Sequence, residues 1–143
     1  MNREILFRGR RVDNGEWVFG NYCEETCFGR KPIPSIQTIE KTQKGCVCKY
    51  EMELYEVDQT TVGQFTGMMS WEQCEVFEGD VVRFYTETGI EDFEVAWCDM
   101  LARFALKKNG NGWSEYAEMV DIHGGEVTGN IYDNPELMKG GAE

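Results

Sequence analysis

Apolar and polar side chains alternate along much of this chain with a period of two. That is the spacing of a strand with one buried face, not of a helix. Trp17 and Phe19 flank Val18 directly after Asp13-Asn14-Gly15. Asn-Gly supplies both positive-φ positions of a type I′ turn, so residues 5–12 and 16–22 are expected to form a hairpin. Tyr50, Met52 and Leu54 alternate with Glu51, Glu53 and Tyr55, and Phe93, Val95 and Trp97 alternate with Glu94 and Ala96. Phe104 and Leu106 share one face of a further strand at 103–107. Asn109-Gly110-Asn111-Gly112 then breaks the chain before Trp113, and His123-Gly124-Gly125 marks another turn.

Glycine punctuates nearly every interval, with 16 glycines against 3 prolines. Short aromatic and β-branched segments at that spacing predict a small β-barrel or sandwich. Helix is confined to two short candidates. Asp58-Gln59-Thr60-Thr61-Val62 opens on an N-cap residue. Asn134-Pro135-Glu136-Leu137-Met138 has Asn at the cap, Pro at the first position and Glu in the first turn, which suits the unpaired N–H groups there. Residues 23–49 hold Pro32, Pro34 and four cysteines without sustained alternation until their end, and are expected to be a long variable connection. The fold class is therefore mainly β, a β-rich α+β chain. The expected division is a β-rich N-terminal portion at 1–60, a barrel at 61–138 and a fraying tail at 139–143.

The length of 143 residues suits one ordinary domain or two small ones. With 41% hydrophobic and 13% aromatic residues, the chain can bury a core, which argues against disorder. Charge changes the picture more. Residues 1–71 carry ten acids and nine bases, whereas residues 72–143 carry sixteen acids and five bases. A formal net charge of −12 weighs against nucleic-acid backbones and anionic membranes as partners. The early cluster Arg3, Arg8, Arg10 and Arg11 reads either as solvated strand-edge arginines or as a patch that docks on acidic protein, such as the second half of another copy. Only Ile5, Leu6 and Phe7 stand between Glu4 and Arg8, so no signal-peptide core is expected, and no apolar run reaches the roughly 20 residues of a membrane helix. A soluble, cytoplasmic protein follows as the expectation.

The six cysteines are then expected to be reduced. Cys23-x3-Cys27 and Cys46-x-Cys48 form two pairs, the logic of a four-thiolate zinc site, although the spacing is imperfect and small buried thiols are the plainer reading. A single histidine, His123, removes every mechanism that needs two. No phosphate-cradling loop or G-x-S-x-G elbow occurs. The acidic clusters Glu24-Glu25, Glu91-Asp92-Glu94 and Glu115/Glu118 match no EF-hand spacing; they read as solvated faces, with mimicry of nucleic-acid phosphates as the functional alternative. Tyr22, Phe28, Trp71 and Trp113 lie near turns as candidate anchors for a partner or as core. The most informative stretch is Val76-Phe77-Glu78-Gly79-Asp80-Val81-Val82-Arg83-Phe84. There an apolar pair enters a glycine turn, Asp80 can accept nearby backbone N–H groups, and an apolar strand leaves. Asp80 reads as a structural device and not as a catalytic acid.

Three stretches in order resemble the YopX family of phage and prophage proteins. They are Arg3-Glu4-Ile5-Leu6-Phe7-Arg8, then Thr61-Val62-Gly63-Gln64-Phe65-Thr66-Gly67 leading into Val76-Phe77-Glu78-Gly79-Asp80-Val81-Val82, and Gly129-Asn130-Ile131-Tyr132-Asp133-Asn134-Pro135-Glu136-Leu137. The resemblance lapses over 23–49 and 109–121. It implies an SH3-like β-barrel in the C-terminal half, preceded by a smaller hairpin-containing portion, and self-association into a homo-oligomer inside the bacterial host. It transfers no catalytic residue and no cofactor. Its motif residues Gly63, Gly67, Gly79, Asp80, Gly129, Asn130, Tyr132, Asn134 and Pro135 read as architecture. The chain departs from the family at 68–74, where Met-Met-Ser-Trp-Glu-Gln-Cys replaces a polar turn. Met68, Met69 and Trp71, with Arg8, Arg10 and Arg11, are thus the candidate interface. The function expected is non-catalytic binding or assembly, with a host protein as a further candidate partner. The alternatives are a zinc module on Cys23, Cys27, Cys46 and Cys48, or an acidic nucleic-acid mimic that inhibits a host protein.

Overall fold

The computed structural model describes residues 5–25, 29, 31–44, 47–108, 112–113 and 118–137. The chain is mainly β and divides into two compact units, Met1–Gln64 and Phe65–Glu143. Among the described residues the strands form two five-stranded antiparallel sheets, ordered β1-β2-β3-β4-β5 and β10-β6-β7-β8-β9. No helix among the described residues is long and apolar enough to cross a membrane.

In the N-terminal unit, β1 (Phe7–Arg11) and β2 (Trp17–Glu25) make the expected hairpin, with Arg10 opposite Trp17 and Phe7 opposite Gly20. The turn is not the expected type I′: Gly15 adopts φ +74° but Asn14 has no positive φ, because residues 12–15 form a four-residue loop closed by Arg11 N donating to Glu16 O at 2.8 Å. Gly15 N donates to Arg11 O at 3.0 Å, and Asn14 Oδ1 accepts from Glu16 N at 2.9 Å. The long connection expected at 23–49 is corrected: β3 (Ile33–Lys44), 12 residues long, runs through its middle, pairing with β2 and with β4 (Val47–Met69), which occupy its two ends. Pro34 stands opposite Glu24 near the start of β3, where a missing donor is tolerated. The β-branched run that follows buries Ser35 and Ile36. β4 then returns to β1, with Arg11 opposite Val57 and Phe7 opposite Gln64, so the pairings close a circuit β1–β2–β3–β4–β1.

The helix expected at 58–62 is also corrected, because these residues lie within β4. Between Arg10↔Asp58 and Arg8↔Gly63 the register shifts, and β4 bulges. Asp58 Oδ1 accepts from Thr60 N at 3.0 Å and from Thr60 Oγ1 at 2.8 Å. Thr61 Oγ1 donates to Asp58 O at 2.6 Å and accepts from Arg10 N at 2.9 Å. A short acceptor reaching the N–H two residues on serves a helix cap or a bulge equally well; here a neighbouring strand supplies the other half of the pattern.

In the C-terminal unit, residues 65–69 of β4 pair with β5 (Glu75–Phe77). β6 (Asp80–Thr86), β7 (Gly89–Cys98) and β8 (Arg103–Lys108) follow as a meander, and β9 (Gly112–Trp113) pairs with the end of β8. A 3-10 turn, Met119–Gly124, leads into β10 (Glu126–Asn130), which lies on β6. A second 3-10 turn, Pro135–Leu137, begins where Asn134-Pro135 predicts a helical start. Alternation sends Val82, Phe93, Val95 and Leu106 inward, where they meet Val76 and Ile122. Met68, Phe84, Met119 and Val127 pack against this cluster. Burial of such side chains stabilises by about 1.5–3 kcal/mol each, which makes this the main cohesive element of the unit.

Candidate interaction surface

The inward face of β7 outruns its core. Phe93 and Val95 are buried, but Trp97, two residues further along the same face, is 44% exposed. Phe104, opposite it on β8, meets the indole edge-on at 5.2 Å and fixes its orientation. The four residues that join β7 to β8, Asp99, Met100, Leu101 and Ala102, contain neither glycine nor proline. The turn closes with Ala102 at φ +50°, a conformation that costs an alanine roughly 1–2 kcal/mol. Met100 is 91% exposed and Leu101 55%. On β9, the exposed Trp113 pairs with Lys107, whose ammonium lies 5.5 Å from the ring centroid. Leu101, Arg103, Phe104, Trp113, Glu118 and Met119 line a shallow hollow between these elements. Its aromatic walls and unsatisfied aliphatic rim can hold an apolar side chain; they offer no nucleophile or proton relay.

Charge on the neighbouring strands is locally balanced. Arg83 makes a bidentate pair with Asp92 at 2.8 and 3.1 Å, which holds the guanidinium above its ordinary pKa. Lys108 lies 3.4 Å from Glu91. Glu94 stands opposite Lys107, and burial pushes its carboxyl up, against the downward pull of Lys107 and with a further lift from Glu78. Each acid of the Glu91-Asp92-Glu94 cluster therefore faces a base, and the cluster is not the uncompensated array that phosphate mimicry requires.

The motif residues at the corners are occupied by backbone. Asp80, 2% exposed, accepts from Phe77 N at 2.8 Å through Oδ2. Gly79 N donates to Val95 O, and Gly79 O accepts from Ile131 N. Asn130 Oδ1 accepts from Tyr132 N at 3.0 Å and Asp133 N at 2.8 Å, while its amide donates to Asp133 Oδ2 at 3.0 Å. Asn134 Oδ1 accepts from Asn130 N at 3.4 Å, closing the turn ahead of Pro135. Gly129 lies close to the Asn134 side chain. Gly63 marks the far end of the β4 bulge, and Gly67, at φ +87°, sits in the register shift between β4 and β5.

Two parts of the candidate interface are packed within the chain. Arg8 is only 7% exposed, and its guanidinium lies 4.7 Å from the Trp17 ring, with that of Arg10 at 5.4 Å. Arg11 lies 4.1 Å from the Tyr55 ring and pairs with Asp13 at 2.6 Å. Stacking on Trp17 across the hairpin and on Tyr55 of β4 has turned these arginines into packing, which neither reading of the cluster anticipates. At 68–74, Met68 joins the core and Met69 is half-buried. Trp71 alone projects, 73% exposed, on a turn held by Ser70 N to Cys74 O, Gln73 N to Ser70 O and Trp71 N to Gly125 O, each 2.9 Å.

Cys27 and Cys46, the side chain of Cys48, and Phe28 lie outside what is described. Cys23 is half-buried, Cys74 exposed and Cys98 buried. Among the described residues no three His, Cys, Asp or Glu side chains are grouped to hold a metal ion. Tyr22 is half-buried beside Phe7, and its hydroxyl donates to Glu24 at 3.1 Å. His123 is exposed at the end of the first 3-10 turn. The pattern of residues does not single out the β7–β8 tip; the available signal is Met100-Leu101 standing in a turn between two clear alternations.

A protein-family model described as YopX protein matches residues 6–139. The crystal structure of protein EF1440 from Enterococcus faecalis is similar at a TM-score of 0.61 and 20% identity, over 94% of this chain and 98% of that one. At that identity the likeness is one of fold. No curated protein matches the chain.

Proposed function

The chain belongs to the YopX family, and on that premise we propose that it is a phage- or prophage-encoded protein that acts by contact and self-association, not by catalysis, in the cytoplasm of a bacterial host. The C-terminal unit serves as an SH3-like barrel. The meander β6–β7–β8, a 3-10 turn and a last strand laid back on β6 support that reading. One observation carries the proposal. The family's motif residues are spent on backbone corners, while Leu101 and Trp113 stand exposed at one hollow, and Trp97 and Met100 are exposed at the end of β7 and in the turn that follows it. Exposed aromatic and aliphatic residues gathered on a rigid support are the usual anchors of protein interfaces.

Size-exclusion chromatography with light scattering at micromolar concentration tests this. The expected result is a mass that is a multiple of the 16.5 kDa chain. A strict monomer at every concentration would remove self-association from the account.

A further inference from the structure

Resting on the self-association reading, we infer that two copies of the chain meet through the β7–β8 hollow about a two-fold axis, with Arg103 of each copy set against Glu118 of the other. Residues 65–143 carry sixteen acids and five bases, so most faces of the C-terminal unit repel a second copy. Three of those five bases, Arg103, Lys107 and Lys108, lie on β8. Lys107 and Lys108 stand beside Glu94 and Glu91. The side chain of Arg103 is exposed and makes no hydrogen bond or ion pair among the described residues. Both Arg103 and the exposed Glu118, which also caps the 3-10 turn Met119–Gly124, line the hollow, with Leu101, Phe104, Trp113 and Met119 among its apolar lining.

A patch with one cation, one anion and an apolar lining carries its own complement. A two-fold rotation exchanges the two charges, so each meets its opposite once and the pair is made twice, beside apolar linings that face one another, as an isologous interface requires. A lone charge of either sign would point to a foreign partner. Salt gives the contact a signature opposite to that of head-to-tail steering between unlike halves. The copies repel through their net charge of −12 each. Shortening the screening length from about 30 Å at 0.01 M salt to about 10 Å at 0.1 M therefore strengthens association.

The test is a charge swap, read as the association constant by sedimentation equilibrium, with circular dichroism as the check on folding. Arg103→Glu and Glu118→Arg singly are expected to weaken association by about tenfold, and the double variant to recover most of the loss. Leu101→Ser, an uncharged change in an exposed turn, is expected to weaken association by about tenfold without touching the charge pair. If wild type associates but these variants leave it unchanged, or the double variant fails to recover, this surface is wrong while self-association stands. If wild type does not associate at all, the self-association reading itself fails.

Discussion

Leu106→Ala lowers the thermal stability of the chain more than any surface change. Leu106 is 1% exposed and sits among Val82, Phe93, Val95 and Ile122. Truncation loses the transfer free energy of the removed carbons and leaves a cavity that two well-paired strands, β7 and β8, cannot close. Substitutions of this kind cost about 2–5 kcal/mol. For a unit of this size a kcal/mol corresponds to roughly 4–8 °C, so a melting temperature lower by at least ~8 °C is expected in a calorimetric scan. A shift of only a degree or two would mean that the cluster is not the cohesive centre of the C-terminal unit.

Gly79→Ala is the second large effect, and it tests the corner itself. Gly79 adopts φ +93°, a left-handed conformation that costs an L-residue about 1–2 kcal/mol. A Cβ there would lie 2.9 Å from Cε2 of Tyr132, so the ring must also yield. The same residue holds Val95 O through its N–H and Ile131 N through its carbonyl, at 2.7 and 2.9 Å, which limits how far the backbone can move. A loss of roughly 2 kcal/mol or more in urea unfolding is expected, with association unchanged once folded. A reading of Gly79-Asp80 as a reactive site predicts the reverse, a functional defect at full stability.

Much of the fold is legible along the chain because local chemistry and tertiary pairing agree there. Asn14-Gly15 lies in a hairpin loop, though a longer one than the expected two-residue turn, Phe93 and Val95 face the core with Leu106, and Asn134-Pro135 opens a helical turn. The departures arise where local chemistry is ambiguous. Asp58 can cap a helix or stabilise a bulge, and only the presence of β1 beside it decides between them. Pro32 and Pro34 suggest a connection, yet the β-branched residues behind them extend a strand between β2 and β4. Arg8 is buried because Trp17 lies across the hairpin, a relation set by register and not by neighbours in sequence. Met68 joins the core because β4 carries on to Met69 before the turn begins. The candidate surface is the least legible part. Met100 and Leu101 differ in nothing local from core residues, and their exposure follows from β7 and β8 extending past the side chains that could cover them.

Hydroxyl-radical footprinting across the concentration range of association tests the central claim, that the β7–β8 tip is a contact surface, most directly. Met100 is the most exposed large apolar residue described, and Tyr85, at 65% exposure, lies beside the β6–β7 turn at the opposite end of β7. Modification of Met100 is predicted to fall as the chain associates while that of Tyr85 holds. A Met100 that stays as reactive in the assembly as in the monomer would contradict the account.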